Sequence, residues 1–564
     1  MEQVHQTVYS QIRTNAFGEA SLTGMLESLD GRCPLSREKM CLFVDRVTDT
    51  LRRLNLGQGD EIAVVLPNGP SYTTALLAVI ECGIAVPMPP DRLFEEFGKG
   101  IQPRAVLFSE DTPPVPDTLE IARACGMSLV GIKEDARTAG LFQVSLVEHP
   151  SAQKADERVG LRAKREHDLA LILNTSGTTG QRKRVGLSHA NLIANAQNIR
   201  EIMGLTAEDR YLAMLPQHYT YGLNLTLAIL MARGTLIAGH QFGRNIPAFT
   251  AAVIECLPTF FASFPCELQA IVDYAKTHVE TMRVLQESTI RLVSSGGTTL
   301  SRKLKKKVEE VFGCLVLENS GMTETGTLFC NRVDSQRDVS VGLPVPGLEY
   351  RIIADDDRAV DASEIGSLFV RGPNVGRYLD PSVQHERLTA DGYLDTQDIA
   401  SVDEAGFVHF HGRRHELIVQ DGRVLVPGIL DEILEAVQGV RRAISFWHEQ
   451  GAEHGKLAVC VVPESNVEMT LADLKQAVLD SPMVDWVEMP DLWILCEIIP
   501  HGILSATKEA PIRQAVVATL GLSPGSRGVL ILRQIQQERT YFNLESVVLD
   551  DKQTVRFVEG RVLL

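Results

Sequence analysis

Residues 171–187 read LILNTSGTTGQRKRVGL, and the rest of the chain is organised around this stretch. An apolar, strand-like run over 169–173 feeds a loop of Thr175, Ser176, Gly177, Thr178, Thr179 and Gly180. Lys183 follows, and Ser188-His189-Ala190-Asn191-Leu192 opens a helical pattern over 191–200. The glycines free the backbone to turn its N–H groups toward a ligand, the hydroxyls add donors, and the lysine adds a point charge. Together these make a cradle for phosphate oxygens. A surface turn is the plainer reading of Ser, Thr and Gly, but an unbroken run of them followed by lysine weighs against it. The spacing is not that of a Walker loop, which needs four residues between its glycines and Lys-Ser/Thr after the second.

The loop resembles the signature Thr-Ser-Gly-Thr-Thr-Gly-x-Pro-Lys-Gly of the adenylate-forming ligases: acyl-CoA synthetases, luciferases and peptide-synthetase adenylation domains. It matches through Gly180 and at Lys183. It departs at Arg182, where the family has proline, and at Arg184, where the family usually has glycine. These two added cations are expected either to help hold a triphosphate or to alter how it is handled.

At 564 residues the chain exceeds what one core supports, so two or more domains are expected. Hydrophobic residues at 44% and charged residues at 23% are those of an ordinary globular protein. The formal net charge of −17 argues against nucleic acid or an anionic membrane as main partner. The one basic run, Arg302-Lys303-Leu304-Lys305-Lys306-Lys307, reads as the wet face of a helix. The cysteines are scattered with no Cys-x-x-Cys pair, so neither a zinc site nor a disulfide framework is expected, and reducing cytosol fits. The start, Met1-Glu2-Gln3-Val4-His5-Gln6, does not read as a signal peptide. The apolar segment 223–232 is too short to span a membrane and reads as a buried helix.

Residues 37–90 alternate helical and strand patterns: helix over 40–54, a Gly57-Gln58-Gly59-Asp60 turn, strand over 61–66, helix over 71–81, strand over 84–88. Such alternation predicts a largely parallel sheet. Residues 290–300 predict a strand ending in Ser294-Ser295-Gly296-Gly297, with a helix opening at Thr298 or Thr299. A Gly-Gly at a strand end lets the backbone approach a flat ligand. Residues 428–437 and 471–479 predict helices, and 458–462 and 492–499 predict strands. Short strands are also expected near 529–532, 546–549 and 555–558.

Further landmarks follow in the family's order. Leu215-Pro216-Gln217-His218-Tyr219-Thr220-Tyr221-Gly222-Leu223 resembles a segment that lines the acyl pocket, with Tyr219 in place of the usual histidine. Packing of two tyrosines in a core is the competing reading. Residues 315–326 (LVLENSGMTETG) match the Tyr-Gly-x-Thr-Glu motif at Gly321, Met322, Thr323 and Glu324, with Ser320 where an aromatic usually stacks on adenine. Thr396-Gln397-Asp398 stands for Thr-Gly-Asp, and residues 412–418 (GRRHELI) resemble the hinge, with His415 where aspartate or lysine is usual. Lys508, in PHGILSATKEAPIR over 500–513, stands near the family's catalytic lysine but two residues late.

The resemblance implies an α/β, multi-layer fold. A large N-terminal domain of stacked mixed sheets and helices would cover 1–413, and a small mobile α+β lid 414–564, with an extended tail over about 525–564. It implies ATP-dependent activation of a small carboxylic acid as an acyl-adenylate, then transfer to a thiol of CoA or of a phosphopantetheinyl carrier protein. Thr175, Ser176, Gly177, Thr178, Thr179, Gly180 and Lys183 would hold the β- and γ-phosphates. Gly296, Gly297, Ser320, Gly321, Met322 and Thr323 would lie along the nucleotide. Asp398 and Arg413 would fix the ribose. Glu324, with Thr178, would hold Mg²⁺, a hard cation that prefers oxygen ligands. Tyr219, Tyr221, Gly222 and Gly326, with Ser295, would line an acyl pocket of mixed polarity. Lys508 and Lys183 would be catalytic. Two other outcomes remain open. The Tyr-Thr-Tyr-Gly-Leu segment resembles natural-product ligases, some of which form amides with an amine or amino acid. The departures at Arg184, Ser320, Gln397, His415 and around Lys508 would also suit a degenerate ligase kept as a scaffold.

Overall fold

A computed structural model describes residues 6–14, 25–90, 103–114, 116–148, 165–175, 183–239, 242, 245–298, 300–338, 340–354, 358–414, 417–420, 423–448, 456–464, 469–481, 487, 489–490, 492–496, 528–534, 542–547, 554–558 and 561–563. The chain divides into two compact units. One comprises 1–297, 307–350 and 370–395; the other comprises 298–306, 351–369 and 396–564.

The first unit is built on two large sheets. One has eight strands in the order 377–378, 183–188, 169–175, 84–87, 61–65, 105–109, 128–134 and 142–148. Its centre is parallel, as the helix–strand alternation over 37–90 predicts, and its margins are antiparallel. The other has nine strands, with 292–295 between 260–263 and 315–322. The strand Leu169–Thr175 runs two residues further than expected, which brings Thr175 opposite Lys183.

Helices Pro70–Cys82, His189–Ile202 and Thr220–Met231 each touch strands of the first unit, and the first two touch strands of both sheets. Burial on all sides explains why Thr220–Met231 shows almost no polar face and reads as membrane-like in sequence. Among the described residues, no helix is long and apolar enough to cross a membrane. Ser188 caps His189–Ile202, accepting from the Asn191 N–H while Asn191 Oδ1 accepts from the Ser188 N–H. That cap fixes where the strand after the phosphate loop turns into helix.

The second unit has its own core, in which Leu425, Leu430, Leu434, Val459, Val461 and Trp493 are buried together. A five-stranded sheet runs in the order 440–448, 456–463, 492–496, 528–534 and 542–547. The last two strands come from the tail, which therefore extends this sheet. Strands 554–558 and 561–563 join 469–470 in a smaller sheet. The basic run corrects one expectation. Helix Arg302–Phe312 starts later than Thr299, and its lysines are not a uniformly wet face. Lys303 donates to the Val440 carbonyl at 3.0 Å and pairs with Glu464 at 2.7 Å, and Lys305 is buried. The run is partly structural. The described cysteines are free thiols, and no cluster of three metal-ligating side chains occurs among the described residues.

His411, on strand Val408–Arg413, sits 2.8 Å from the Ser401 hydroxyl. Burial pushes its pKa down to about 4, and the neighbouring His409 adds to the effect. A histidine ordinarily titrates near 6.5, so between about pH 4 and 6.5 the unfolded chain binds the extra proton. The stability due to the neutral ring is complete above about pH 6.5 and is lost as pH falls toward 4. His411→Gln is expected to flatten that part of the stability–pH curve by on the order of 1–3 kcal/mol. Urea unfolding at a series of pH values measures this, and a curve parallel to the parent's would remove His411 as its source.

Candidate active site

The phosphate loop begins and ends on one antiparallel hairpin. Thr175 and Lys183 are direct cross-strand partners, and the Thr175 hydroxyl donates to the Lys183 carbonyl at 3.4 Å. Ser176, Gly177, Thr178, Thr179, Gly180 and Arg182 lie outside the described residues. Side chains alternate along a strand, so Lys183 and Arg184 leave on opposite faces. Arg184 pairs with Glu61, so its charge is answered within the fold. Lys183 has no ion-pair partner among the described residues. Its Nζ lies 5.8 Å from the ring centroid of Tyr378.

Tyr378 ties the next group to that lysine. Its strand, Arg377–Tyr378, pairs with 185–186, just after the loop. Its hydroxyl donates to Glu324 Oε1 at 2.6 Å, and both residues are buried. Burial, and then the Glu324 carboxylate, raise the Tyr378 pKa, so the phenol stays protonated and donates to that carboxylate. The second oxygen of Glu324 has no hydrogen-bond partner among the described residues. A carboxylate with one oxygen anchored and one unclaimed suits a hard cation such as Mg²⁺. Glu324 hangs from the turn between strands Leu315–Met322 and Gly326–Cys330, whose tip holds Gly321, Met322 and Thr323. Nothing in the sequence around Tyr378 gave it this role.

The glycines expected beside the ligand are required by the fold itself. A Cβ on Gly321 would sit 1.9 Å from the Gly326 carbonyl oxygen, and one on Gly326 would meet the Asn195 side chain at 1.8 Å. A Cβ on Gly222 would strike the Pro216 carbonyl at 2.4 Å, and one on Gly296 the Asn319 side chain at 2.7 Å. Gly297 has φ +85°, where a side chain would also meet the Phe264 ring.

The two tyrosines of the acyl-pocket segment part company. Tyr219 is 46% exposed and caps helix Thr220–Met231, with its ring against His218. Tyr221 points inward, its hydroxyl 2.8 Å from the Ser294 hydroxyl and accepting from the Asn319 amide at 2.7 Å. Ser294, not Ser295, faces Tyr221; the buried Ser295 hydroxyl has no partner among the described residues. Asn319 is a residue the sequence reading passed over. It follows Leu317 by two and so returns to the same face of its strand. Ser320 is half-buried beside it, opposite Phe329.

In the second unit, Asp398 and Arg413 are cross-strand partners, with Arg413 Nε 3.0 Å from Asp398 Oδ1. The guanidinium also donates to the Thr396 carbonyl at 3.2 Å. The Thr396 hydroxyl accepts from the Asp398 N–H at 3.0 Å and donates to the Leu368 carbonyl, which fixes the turn before the carboxylate. His415 and Lys508 lie outside the described residues.

Between Thr396 and Asp398, Gln397 has φ +63°, the left-handed region that glycine adopts freely. The family's glycine at this position therefore has a backbone reason, and the chain keeps that backbone with a glutamine. Gln397→Gly is expected to raise stability by about 0.5–1 kcal/mol, because the relieved strain exceeds the entropy that glycine adds to the unfolded chain. Gln397→Ala, which keeps a Cβ, should give no gain. Thermal melts of the three proteins decide it, and equal gains in both variants would refute strain as the cause.

A family model described as AMP-binding enzyme matches residues 29–378. Sulfoacetate–CoA ligase of Cupriavidus necator is 30% identical over 404 residues, covering 69% of this chain and 74% of that protein. Probable CoA ligase CCL9 of Humulus lupulus is 27% identical over 450 residues, covering 78% and 84% respectively. The crystal structure of ATP-bound MatB from Rhodopseudomonas palustris matches with a TM-score of 0.75, covering 91% of this chain and 99% of that one. At 22% identity that likeness speaks for the fold alone. With the model spanning well over half of its length, the chain belongs to the family of AMP-binding enzymes, within the adenylate-forming superfamily.

Proposed function

We propose that this protein uses ATP to activate a small carboxylic acid as an acyl-adenylate and passes the acyl group to a thiol. The observation that carries this is the Lys183–Tyr378–Glu324 arrangement: a cation with no ion-pair partner among the described residues and a carboxylate with one oxygen bonded, both beside one buried tyrosine next to the Ser/Thr/Gly loop. A cation and a metal-binding carboxylate so placed are what a polyphosphate needs and what an apolar core would exclude.

Lys183, Thr175 and the loop hydroxyls of Ser176, Thr178 and Thr179 bind the β- and γ-phosphates. Asp398 accepts from the ribose hydroxyls, and Arg413 orients Asp398. Glu324, with Thr178, holds Mg²⁺, which when bound neutralises charge on the phosphate oxygens. The acid's carboxylate attacks the α-phosphorus, and pyrophosphate leaves with the bond electrons. Charge builds on the phosphate oxygens, so the protein's task is positioning and neutralisation. Lys508 bridges the attacking carboxylate and the α-phosphate. Residues 414–564 act as a lid that moves between adenylation and transfer. The relatives named CoA ligases support CoA as the acceptor; a carrier-protein thiol fits the same chemistry.

Pyrophosphate release from ATP in the presence of a panel of acids, with CoA or pantetheine added, tests the reading, and no release with any acid refutes it. Lys508→Ala is expected to slow adenylation by about 100- to 1,000-fold, the loss typical of one preorganised charge; an unchanged rate removes Lys508 from the site. Tyr378→Phe is expected to weaken ATP binding about ten-fold with Mg²⁺ present, the loss of one buried hydrogen bond. Without Mg²⁺ the change should stay within about two-fold. Calorimetry reads both, and equal losses in the two conditions would show that Tyr378 does not act through Glu324.

A further inference from the structure

The acyl side of this site has an inner end, and its chemistry is unusual for an apolar acid. Ser294 and Asn319 lie on one face of the nine-stranded sheet, and Tyr221 reaches down to both. The Asn319 amide donates to the Tyr221 hydroxyl at 2.7 Å, the Ser294 hydroxyl at 3.0 Å and the Ser295 carbonyl at 3.2 Å. Two amide hydrogens face three acceptors, so the cluster shares its donors. Tyr211 stands on the same face: it pairs with Phe260, and Ala262, two residues on, pairs with Ser294. The Tyr211 hydroxyl is fully buried and has no hydrogen-bond partner among the described residues.

Beside the cluster is a cavity of about 10 Å³, lined by Tyr221, Ser294, Asn319 and Thr327 together with the apolar side chains of Ile202 and Met203. That is room for one water, not for a chain. The distance to the nucleotide residues is short. Ser294 precedes Gly296 by two residues and Asn319 precedes Gly321 by two, which along a strand is roughly 7 Å. Gly296 is also packed against Asn319, so the backbone leaves no gap between these two strands. Among the described residues, no cationic side chain hydrogen-bonds to the cluster.

We propose that Tyr221, Ser294 and Asn319 form the hydrogen-bonding end wall of the acyl site and select a short acid, one ring or a few carbons long, that carries a neutral hydroxyl or oxo group. The carboxylate sits at the nucleotide and the far group exchanges hydrogen bonds with the wall. At this wall a long alkyl chain meets a cavity the size of one water, and a second carboxylate meets no cation among the described residues that bond to the cluster. This inference rests on the acid-activating reading above, and the test separates the two.

Pyrophosphate release is measured with the full chain for benzoate, 3-hydroxybenzoate, butyrate, 3-hydroxybutyrate, dodecanoate and succinate. At least one hydroxy acid is expected to exceed its unsubstituted partner by about 10- to 100-fold in kcat/KM, the discrimination of a site built to bond a hydroxyl. Dodecanoate and succinate should fall below both hydroxy acids. Asn319→Leu is expected to bring the hydroxy preference to within about three-fold. Tyr221→Phe, which removes one oxygen and keeps the ring, should lower it in the same direction should the Leu variant not fold. A preference for dodecanoate, benzoate or butyrate, or a hydroxy preference unchanged in the folded variants, overturns the wall while leaving acid activation intact. No release with any acid overturns both.

Discussion

A carboxylate taken out of water needs something to answer its charge, and Glu324 is answered by a phenol. The Tyr378 hydroxyl bonds one of its oxygens, and a neutral donor satisfies without neutralising. An arginine in the same place would have closed an ion pair and ended the site's appetite for a cation. The tyrosine keeps the negative charge available, and the face of the same ring lies near the Lys183 ammonium. One side chain thus neighbours two groups of opposite charge. The rest of the first unit serves this arrangement: the hairpin fixes Lys183, the turn fixes Glu324, and the two-residue strand fixes Tyr378.

Much of this was legible in the sequence because it is written locally. Helix and strand periods over 37–90, the buried helix after Gly222, and the strand leading into Ser294-Ser295 follow from residue pattern alone. The landmarks that carry the family resemblance are short and ordered, so Lys183, Glu324, Asp398 and Arg413 could be named before their geometry was known. What stayed hidden depends on which face a residue takes or on a distant partner. Arg184 looked like an extra phosphate cation, yet Glu61, far off in the chain, claims it. Ser295 looked like pocket lining, yet its neighbour Ser294 faces in. Asn319 and Tyr378 are ordinary letters in their segments, and only tertiary pairing gives them work. Lys303 and Lys305 read as solvent-facing because a charge run carries no sign of what will fold over it.

The glycines teach a related lesson. Gly296 was read as letting the backbone approach a ligand, and Gly222, Gly321 and Gly326 as site residues by resemblance; each also faces protein so closely that an added Cβ would force a shift. Close packing and ligand approach ask for the same residue, so the pattern alone does not separate them. Gln397 shows the reverse case. The left-handed backbone persists without the glycine that would make it easy, held by the hydrogen bonds that position Asp398.

The tail strands alter the exposure of the second unit's sheet. Strand Gly528–Gln534 lies parallel against Leu492–Cys496, and Phe542–Val547 closes beyond it. Were the tail cut away, the apolar run LWILC would become an open margin, its amides and carbonyls offered to any passing extended peptide. The extension therefore moves this open border outward, from Leu492–Cys496 to Phe542–Val547, and does not remove it.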